Sequence, residues 1–234
     1  MAMEKLSKRI LTEYIPLMLT GVLIIIFGII YKQSFIKLLP NLISLFVMLF
    51  NSRASRFGFL LGGLNCVLYT VVYAITALWG NAISSVIGAF FAFLSYVRWK
   101  KRAYGQSTII KKMTTLHRTS FIVVFVVAWL ALSWALSLGG GTQPFLDAYS
   151  GVSGILIPIL TMMAYIEETP FYTLGTFISL TMWVMIAINE PNEITFVIYA
   201  VYNCYMAVKR AITWVKLYRK QQREMTKNNG VLNA

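Results

Sequence analysis

The chain has 234 residues, of which 58% are hydrophobic and 12% are charged, and its mean hydropathy is +0.69. This composition excludes a water-soluble domain, in which about a quarter of the residues are charged. A net charge of +13 could indicate a nucleic-acid partner, but the basic residues lie in short segments between apolar stretches. We therefore predict an all-α polytopic membrane protein that binds the lipid bilayer and no nucleic acid.

Eight segments are apolar and long enough to cross a bilayer as helices, each of which needs about 20 residues. With eight crossings, 19 of the 21 Lys and Arg residues lie on the same side as both termini. The positive-inside rule then predicts a multi-pass cell-membrane protein with cytoplasmic termini, whose basic side contacts anionic headgroups. The segments, numbered as helices 1 to 8, are 13–31, 35–50, 57–78, 81–97, 120–138, 144–166, 171–188 and 194–213.

The first half of the chain carries one polar and aromatic stripe. Helix 1 has no chemically distinctive residue, and we predict that it is peripheral. Helix 3 places Asn65, Tyr69 and Tyr73 on one face, at positions i, i+4 and i+8. The connection 98–118 is predicted to be a basic cytoplasmic loop, in which His117 is a surface residue. Helix 5 is plain and serves as a linker.

The second half carries more of these side chains. Helix 6 aligns Asp147 and Ser150 with Gly154, Pro158 and Thr161 in a polar and small-residue stripe. Pro158 permits a kink, which membrane helices tolerate where the backbone faces protein or a watered cavity. The remaining candidates are Thr176, Ser179 and Trp183 on helix 7 and Tyr199 and Asn203 on helix 8.

Aromatic residues near the helix ends are predicted to lie at the membrane interface, where tryptophan is enriched. The tail 214–234 is basic, and we expect it to fray. The residues in question are Trp79, Trp99, Trp129 and Trp214.

A nine-residue motif occurs twice and suggests an internal repeat. Asn81–Ala89 (NAISSVIGA) and Asn192–Ala200 (NEITFVIYA) share five identical residues, and each begins an apolar helix that ends in a basic cluster. Helices 2–4 and 6–8 match in order and direction, so we predict two parallel three-helix repeats around a central site. The predicted units are 1–34 (basic segment and extra helix), 35–97 (first repeat), 98–138 (loop and linker helix), 139–213 (second repeat) and 214–234 (tail).

The residue types do not indicate an enzyme, a cofactor or a metal site. There is no Cys–His pairing, Asp147 is the one acid near a helix interior, and Cys66 and Cys204 are predicted to be buried free thiols. Neutral polar and aromatic groups suit a small ligand with an aromatic base and a hydroxyl-rich portion. The alternative is a structural or partner-binding subunit, in which the same groups pack together without a cavity. The absence of an acidic relay favours a facilitator over a proton-coupled transporter.

The span from about residue 44 to 214 resembles the PnuC family of vitamin and nucleoside transporters. The resemblance implies a 3+1+3 helix plan like that of the SWEET sugar transporters, a homotrimer, and facilitated uptake with trapping by a cytoplasmic kinase. It also adds Glu168 to the candidate substrate-binding residues. The segments that carry it are Ser52-Arg53 through Phe57-Gly58, Gly80-Asn81, Ser95 through Trp99, Asp147-Ala148-Tyr149, Glu168, and Tyr199-Ala200 running to Trp214.

The seventh segment departs from this family. Members that carry nicotinamide riboside resemble one another in a Glu-x-Trp-x-x-Trp motif, whereas Pro170 and Thr173 stand at its tryptophan positions here. We therefore expect a nucleoside-like cargo, with a deoxynucleoside favoured and nicotinamide riboside, thiamine and riboflavin as alternatives. A cavity near the middle of the bilayer is predicted to be lined by Asn65, Tyr69, Thr176, Trp183 and Asn203. The full set of candidate substrate-binding residues is Asn65, Tyr69, Tyr73, Asp147, Ser150, Glu168, Thr176, Ser179, Trp183, Tyr199 and Asn203.

Overall fold

The computed structural model describes residues 9–75, 79–105, 107–139 and 144–232, and this part of the chain is almost entirely helical. Residues 76–78, at the end of predicted helix 3, and the side chains of Trp79 and Asn81 lie outside the described residues. A π-helical turn (Ile10–Tyr14) leads into α1, a 3-10 turn (Pro191–Glu193) precedes α8, and β1 (Ala103–Tyr104) and β2 (Ser107–Thr108) form an antiparallel hairpin. The helices are α1 (Ile15–Ile30), α2 (Phe35–Ser52), α3 (Phe57–Ile75), α4 (Trp79–Lys101), α5 (Thr115–Leu138), α6 (Pro144–Met163), α7 (Glu168–Asn189) and α8 (Ile194–Leu232).

The prediction of an all-α polytopic membrane protein is confirmed. Among the described residues, seven helices, α1 to α7, have the length and apolar composition needed to cross a membrane. α8 is less apolar because its first half includes Asn203, Lys209 and Arg210. It nevertheless packs along α1, α2 and α7, so its first half lies in the same layer as the other helices. This packing favours eight crossings.

Six of the helices form a closed ring in the order α2, α3, α4, α6, α7, α8, and α8 returns to contact α2. The two triplets have the same internal order of contacts, and they meet at two joints, α4 with α6 and α8 with α2. If α2–α4 takes the place of α6–α8 and the reverse, the α4–α6 joint takes the place of the α8–α2 joint. This relation is expected of two parallel repeats. The exact boundaries of the repeats stay a prediction.

α1 and α5 lie outside the ring. α1 packs on α2 and α8, and α5 packs on α6. Each triplet is therefore preceded by a helix that packs on its first member, an equivalence that the sequence did not indicate. From Phe121 to Leu138 the exposed surface of α5 is mostly apolar, and Phe125 is the one buried residue of the helix, as expected for a helix that faces lipid.

One end of the bundle carries the basic segments and is covered by a packed layer. We call this layer the basic end (residues 53–56, 98–105, 107–114, 164–167 and 209–226). Trp99 and Trp214 are each 1% exposed and lie 5.5 Å apart between ring centroids in a cluster with Phe59 and Ile110. The Trp99 indole N–H donates to the Thr161 carbonyl at 3.0 Å. The prediction that these two tryptophans are interface aromatics is therefore wrong, because both are enclosed by protein.

The tail that we expected to fray is helical through Leu232. Trp214, Leu217, Tyr218 and Gln221 lie at i, i+3, i+4 and i+7, so they share one helix face, and that face packs on the other segments of the basic end. The connection 98–118 is likewise more ordered than predicted, since α4 continues to Lys101 and α5 begins at Thr115.

Hydrogen bonds join the tail, the hairpin and the α6–α7 connection. The Gln221 side chain accepts from the Ile110 N–H and donates to the Thr108 carbonyl, both at 2.9 Å. The Lys111 N–H donates to the Ala164 carbonyl at 2.8 Å, and the Lys111 carbonyl accepts from the Ile166 N–H at 2.9 Å. The basic end is thus one connected structure that links both halves of the chain.

Replacing Gln221 with alanine should loosen the tail from the hairpin. The change leaves the buried Ile110 N–H and Thr108 carbonyl without partners, at a cost of about 1–3 kcal/mol for each group. Hydrogen exchange should show faster exchange of the Ile110 amide. Gln222→Ala, which changes the exposed neighbouring residue, is the matched control and should leave that amide protected; equal exchange in both variants would contradict the role of Gln221.

Candidate functional site

A cavity of about 400 Å³ lies at the centre of the six-helix ring, and all six helices contribute to its wall. This volume lies in the range of small-molecule sites. Glycines and small apolar residues leave the space open, and the polar lining is almost entirely neutral. The neutral polar residues of the wall are Ser44, Asn51, Asn65, Tyr69, Ser84, Ser85, Ser95, Ser153, Thr161, Tyr172, Thr176, Ser179, Tyr199 and Asn203; the charged ones are Glu168 and Arg210.

The structure brings most of the predicted site residues together in this cavity. Those that line it are Asn65, Tyr69, Glu168, Thr176, Ser179, Tyr199 and Asn203. Tyr73, Asp147, Ser150 and Trp183 are not among its lining residues.

Each of the four others has a different location. The Trp183 ring stacks on Phe196 at 4.3 Å between centroids and 12° between planes, which corrects the prediction that it lines the cavity. Tyr73 stacks behind Tyr69 at 5.5 Å. Asp147 and Ser150 are half-buried in the first turns of α6, whereas the wall begins one turn later at Ser153. These residues share helix faces with lining residues but lie beyond one end of the cavity.

Asn65 is fixed in orientation by two hydrogen bonds to α2. Its Nδ2 group donates to the Pro40 carbonyl at 3.1 Å and to Ser44 Oγ at 2.7 Å. A carbonyl oxygen can only accept, so the nitrogen of the amide must face Pro40. Both N–H groups are then used, and Asn65 Oδ1 is a buried acceptor with no protein partner. Since the residue is 4% exposed and lines the cavity, a bound donor can satisfy this oxygen.

A directed chain of hydrogen bonds continues from Asn65. Ser44 Oγ accepts from Asn65, so its own proton is available to the Tyr69 hydroxyl at 3.2 Å. The Tyr69 hydroxyl in turn donates to Asn41 Oδ1 at 2.8 Å. These hydrogen bonds hold α3 against α2, and they use the donor groups of Asn65, Ser44 and Tyr69 within the protein. This side of the wall therefore offers an acceptor to a ligand.

The opposite wall is held by a contact among three helices. The Tyr172 hydroxyl of α7 lies 3.3 Å from Asn203 Oδ1 of α8 and 3.0 Å from the Met48 sulfur of α2. Cys204 donates its thiol to the Thr176 carbonyl at 3.3 Å, and both cysteines are free thiols. Among the described residues, no group of three His, Cys, Asp or Glu side chains is placed to hold a metal ion.

A buried ion pair lies where the cavity meets the basic end. Arg210 and Glu168 approach to 2.8 Å, with side chains 5% and 0% exposed. The guanidinium also lies 4.4 Å from the Tyr172 ring centroid and 5.1 Å from that of Trp214. Arg210 is absent from the predicted site because it stands among basic residues that are expected to be solvated. Its spacing of seven residues from Asn203 would have placed it on the cavity face of α8.

The two copies of the repeated motif have different surroundings. Ser84 lines the cavity and lies against Gly154 of α6, where an added Cβ would approach the Ser84 Cβ to 3.3 Å. Its counterpart Thr195 is fully buried and donates to Gln33 Oε1 at 2.7 Å, away from the cavity. Pro158, one turn after Gly154, has no N–H, so the Gly154 carbonyl lacks its usual helical donor. Both residues line the wall, as expected for a broken helical bond beside a polar space.

Gly58→Ala should destabilise the protein by about 1–3 kcal/mol through overpacking. A Cβ at this position would lie 2.3 Å from Asn51 Oδ1 and 3.1 Å from the Asn51 backbone nitrogen. Thermal unfolding of the purified protein measures the effect. Gly21→Ala is the control, because its Cβ would make an ordinary 3.5 Å contact with Leu45. Equal melting temperatures for the two variants would contradict the tight α2–α3 approach.

A ring of membrane helices around a cavity of small-molecule size, with neutral polar groups in a largely apolar wall, is the architecture of a membrane transporter. A family model described as nicotinamide mononucleotide transporter matches residues 34–216, and the chain therefore belongs to this family, which confirms the PnuC assignment. The fold is similar to that of a crystal structure titled as the vitamin B3 transporter PnuC, with a TM-score of 0.73 and 16% identity over 89% of this chain and 92% of that chain. No curated protein matches the chain.

Proposed function

We propose that this protein is a facilitator that moves a nucleoside-like small molecule across the cell membrane, down its concentration gradient, through the central cavity. The observation that carries the proposal is the cavity of about 400 Å³ that six membrane helices line, in which the polar groups are neutral apart from the Glu168–Arg210 pair. Family membership supports transport. A structural or partner-binding subunit would need the same side chains to be packed against one another, and the open space among them supports the transporter instead.

The charge of the wall favours a neutral cargo. Glu168 and Arg210 are the charged side chains among the described lining residues, and they pair with each other. A phosphate group would have to displace Glu168 from Arg210 and leave a buried carboxylate uncompensated, at a cost of several kcal/mol. A nucleoside is therefore a better fit than a mononucleotide.

The hydrogen-bonding character of the wall favours a cargo with donors. Asn65 Oδ1 and Asn51 Oδ1 are buried acceptors without partners in the described structure. Sugar hydroxyls and amino groups can satisfy them, while Tyr69, Tyr172 and Tyr199 present rings on which a base can stack. A flat base joined to a sugar combines these two features.

The finer choice of cargo rests on α7. A deoxynucleoside is favoured because Pro170 and Thr173 replace the two tryptophans expected of nicotinamide riboside carriers. Nicotinamide riboside is the second candidate, since the structurally similar crystal structure is titled as a vitamin B3 transporter. Thiamine and riboflavin follow. The proposal also includes trapping by a cytoplasmic kinase, a homotrimeric assembly and cytoplasmic termini.

Uptake into proteoliposomes tests the proposal. The purified protein is reconstituted with ionophores that abolish ion gradients, and entry of labelled deoxynucleosides, nicotinamide riboside, thiamine, riboflavin and nicotinamide mononucleotide is compared with entry into empty vesicles. We expect a nucleoside to reach equal concentrations inside and outside, with the mononucleotide excluded. Failure of every compound to enter, or a requirement for an ion gradient, would overturn the facilitator proposal.

A further inference from the structure

The exposed face of α8 changes from apolar to basic along a single stripe. Four apolar residues on this face are 42–55% exposed and lie at i, i+4, i+7 and i+11. Four exposed basic residues continue the same stripe, so they lie on the side of α8 that faces lipid within the membrane. The apolar residues are Val201, Tyr205, Val208 and Ile212, and the basic residues, which we call the basic stripe, are Lys216, Arg219, Lys220 and Arg223.

The basic stripe is held on a rigid helix. The opposite face of the same turns, from Trp214 to Gln221, packs on the other segments of the basic end and hydrogen-bonds with residues 108–110. At 3.6 residues per turn, the stripe and this packed face point in opposite directions. The basic side chains therefore point away from the protein and hold fixed positions relative to one another. A frayed tail would not fix these positions.

Most of the positive charge of the basic stripe is not neutralised by ion pairs among the described residues. Lys220 lies 3.8 Å from Glu224, which also accepts from the Tyr104 hydroxyl at 2.6 Å. No described carboxylate forms an ion pair with the other three residues of the stripe. These four cations and Glu224 together line a shallow surface cleft of about 320 Å³.

We propose that the basic stripe is a binding site for the phosphate groups of anionic lipids in the leaflet at the basic end. Lys216 follows the lipid-facing Ile212 by one turn, a rise of about 6 Å, which places it at the headgroup layer just outside the hydrocarbon. The residues farther along the helix have long side chains that extend back toward the same layer. Polybasic segments directly beyond a membrane helix attract anionic lipids in this way.

The test compares the full-length protein in nanodiscs of phosphatidylcholine alone and in nanodiscs containing about 30% phosphatidylglycerol. Anionic lipid should raise the melting temperature of the wild-type protein, and native mass spectrometry should detect retained phosphatidylglycerol. In K216Q/R219Q/K220Q/R223Q, at least about half of the temperature rise and of the retained lipid should be lost. Glutamine preserves the helix, so in phosphatidylcholine nanodiscs this variant should have the same melting temperature as the wild type.

The matched control is K216R/R219K/K220R/R223K, which keeps every charge and should behave as the wild type. If the glutamine variant does not fold, the double variant K216Q/R219Q and the salt dependence of the wild type replace it, and the lipid effect should shrink between about 0.05 M and 0.5 M salt. Equal lipid dependence in the glutamine variant and the wild type would overturn the proposal. So would stabilisation by inorganic phosphate in phosphatidylcholine nanodiscs that matches that of the lipid, because the site would then bind free anions.

Discussion

Replacing Arg210 with methionine is expected to destabilise the protein by about 3–5 kcal/mol, because removing one partner of a buried ion pair leaves the other charge uncompensated. Glu168 is fully buried and lies 2.8 Å from Arg210. The loss of the guanidinium also removes its contacts with the rings of Tyr172 and Trp214. Thermal and denaturant unfolding of the purified variant in detergent measure the change.

Two further variants separate the buried charge from the loss of a side chain. Arg118→Met breaks a pair of similar length, 3.0 Å to Glu167, but the Arg118 side chain is 38% exposed. That pair should contribute less than about 1 kcal/mol, as surface pairs do. The double variant Glu168→Leu with Arg210→Met removes both charges and should regain most of the stability lost in Arg210→Met. Equal losses for Arg210→Met and Arg118→Met would show that the pair at the cavity is solvated.

Replacing Asn65 with leucine is expected to weaken cargo binding by about 1–3 kcal/mol, which corresponds to about a five- to 150-fold rise in the half-saturating concentration for transport. Leucine has a similar size, but it removes the acceptor Oδ1 that the wall offers to the ligand. It also removes the donors to Pro40 and Ser44, so the α2–α3 contact loses its directed hydrogen-bond chain. Concentration-dependent uptake into proteoliposomes measures the effect.

Asn189→Leu provides the control for Asn65→Leu. Asn189 is exposed at the end of α7, and its side chain donates to the Met185 carbonyl of its own helix at 3.1 Å. The same substitution there should leave the half-saturating concentration unchanged. If Asn65→Leu folds and transports with the affinity of the wild type, the acceptor role of Asn65 is refuted.

The fold was largely predictable because apolar length and charge placement are linear properties of the sequence. A membrane helix must satisfy its backbone internally, so each long apolar segment has one available structure. The repeated motif indicated which helices correspond, whereas the order of contacts around the ring is visible only in the structure. The helical period also identified the faces that carry Asn65, Tyr69, Thr176 and Asn203.

The limits of the cavity were not predictable from helix faces. Tyr73 and Trp183 share faces with Tyr69 and Ser179, but the period of a helix defines direction and not depth in the membrane. A residue one or two turns along the same face lies about 5–11 Å farther, which is enough to leave a cavity of this size. The stacking partner of Trp183, Phe196, belongs to another helix, and such a contact depends on tertiary packing.

The basic end was misjudged for a different reason. Lys and Arg residues near a helix end are usually solvated, so the sequence predicts that the tail and the connection 98–118 are surface segments. Burial of Trp214 and Gln221 on one face of the tail, with Lys216 and Arg219 exposed on the other, shows that the tail is amphipathic. The spacing of these residues is visible in the sequence, but the high density of basic residues in the tail favours a solvated segment instead. Arg210 was overlooked in the same way, and its burial depends on Glu168 from a distant part of the chain.

Ligand-dependent thermal stabilisation of the purified protein tests most directly whether the ring encloses a site for a nucleoside. A ligand that binds only the folded state stabilises it by RT ln(1 + [L]/Kd). We predict that a nucleoside raises the melting temperature with saturating concentration dependence, and that the rise is reduced in Asn65→Leu and unchanged in Asn189→Leu. A folded wild-type protein whose melting temperature no nucleoside or vitamin raises, at any concentration up to the solubility limit of each compound, would contradict the account.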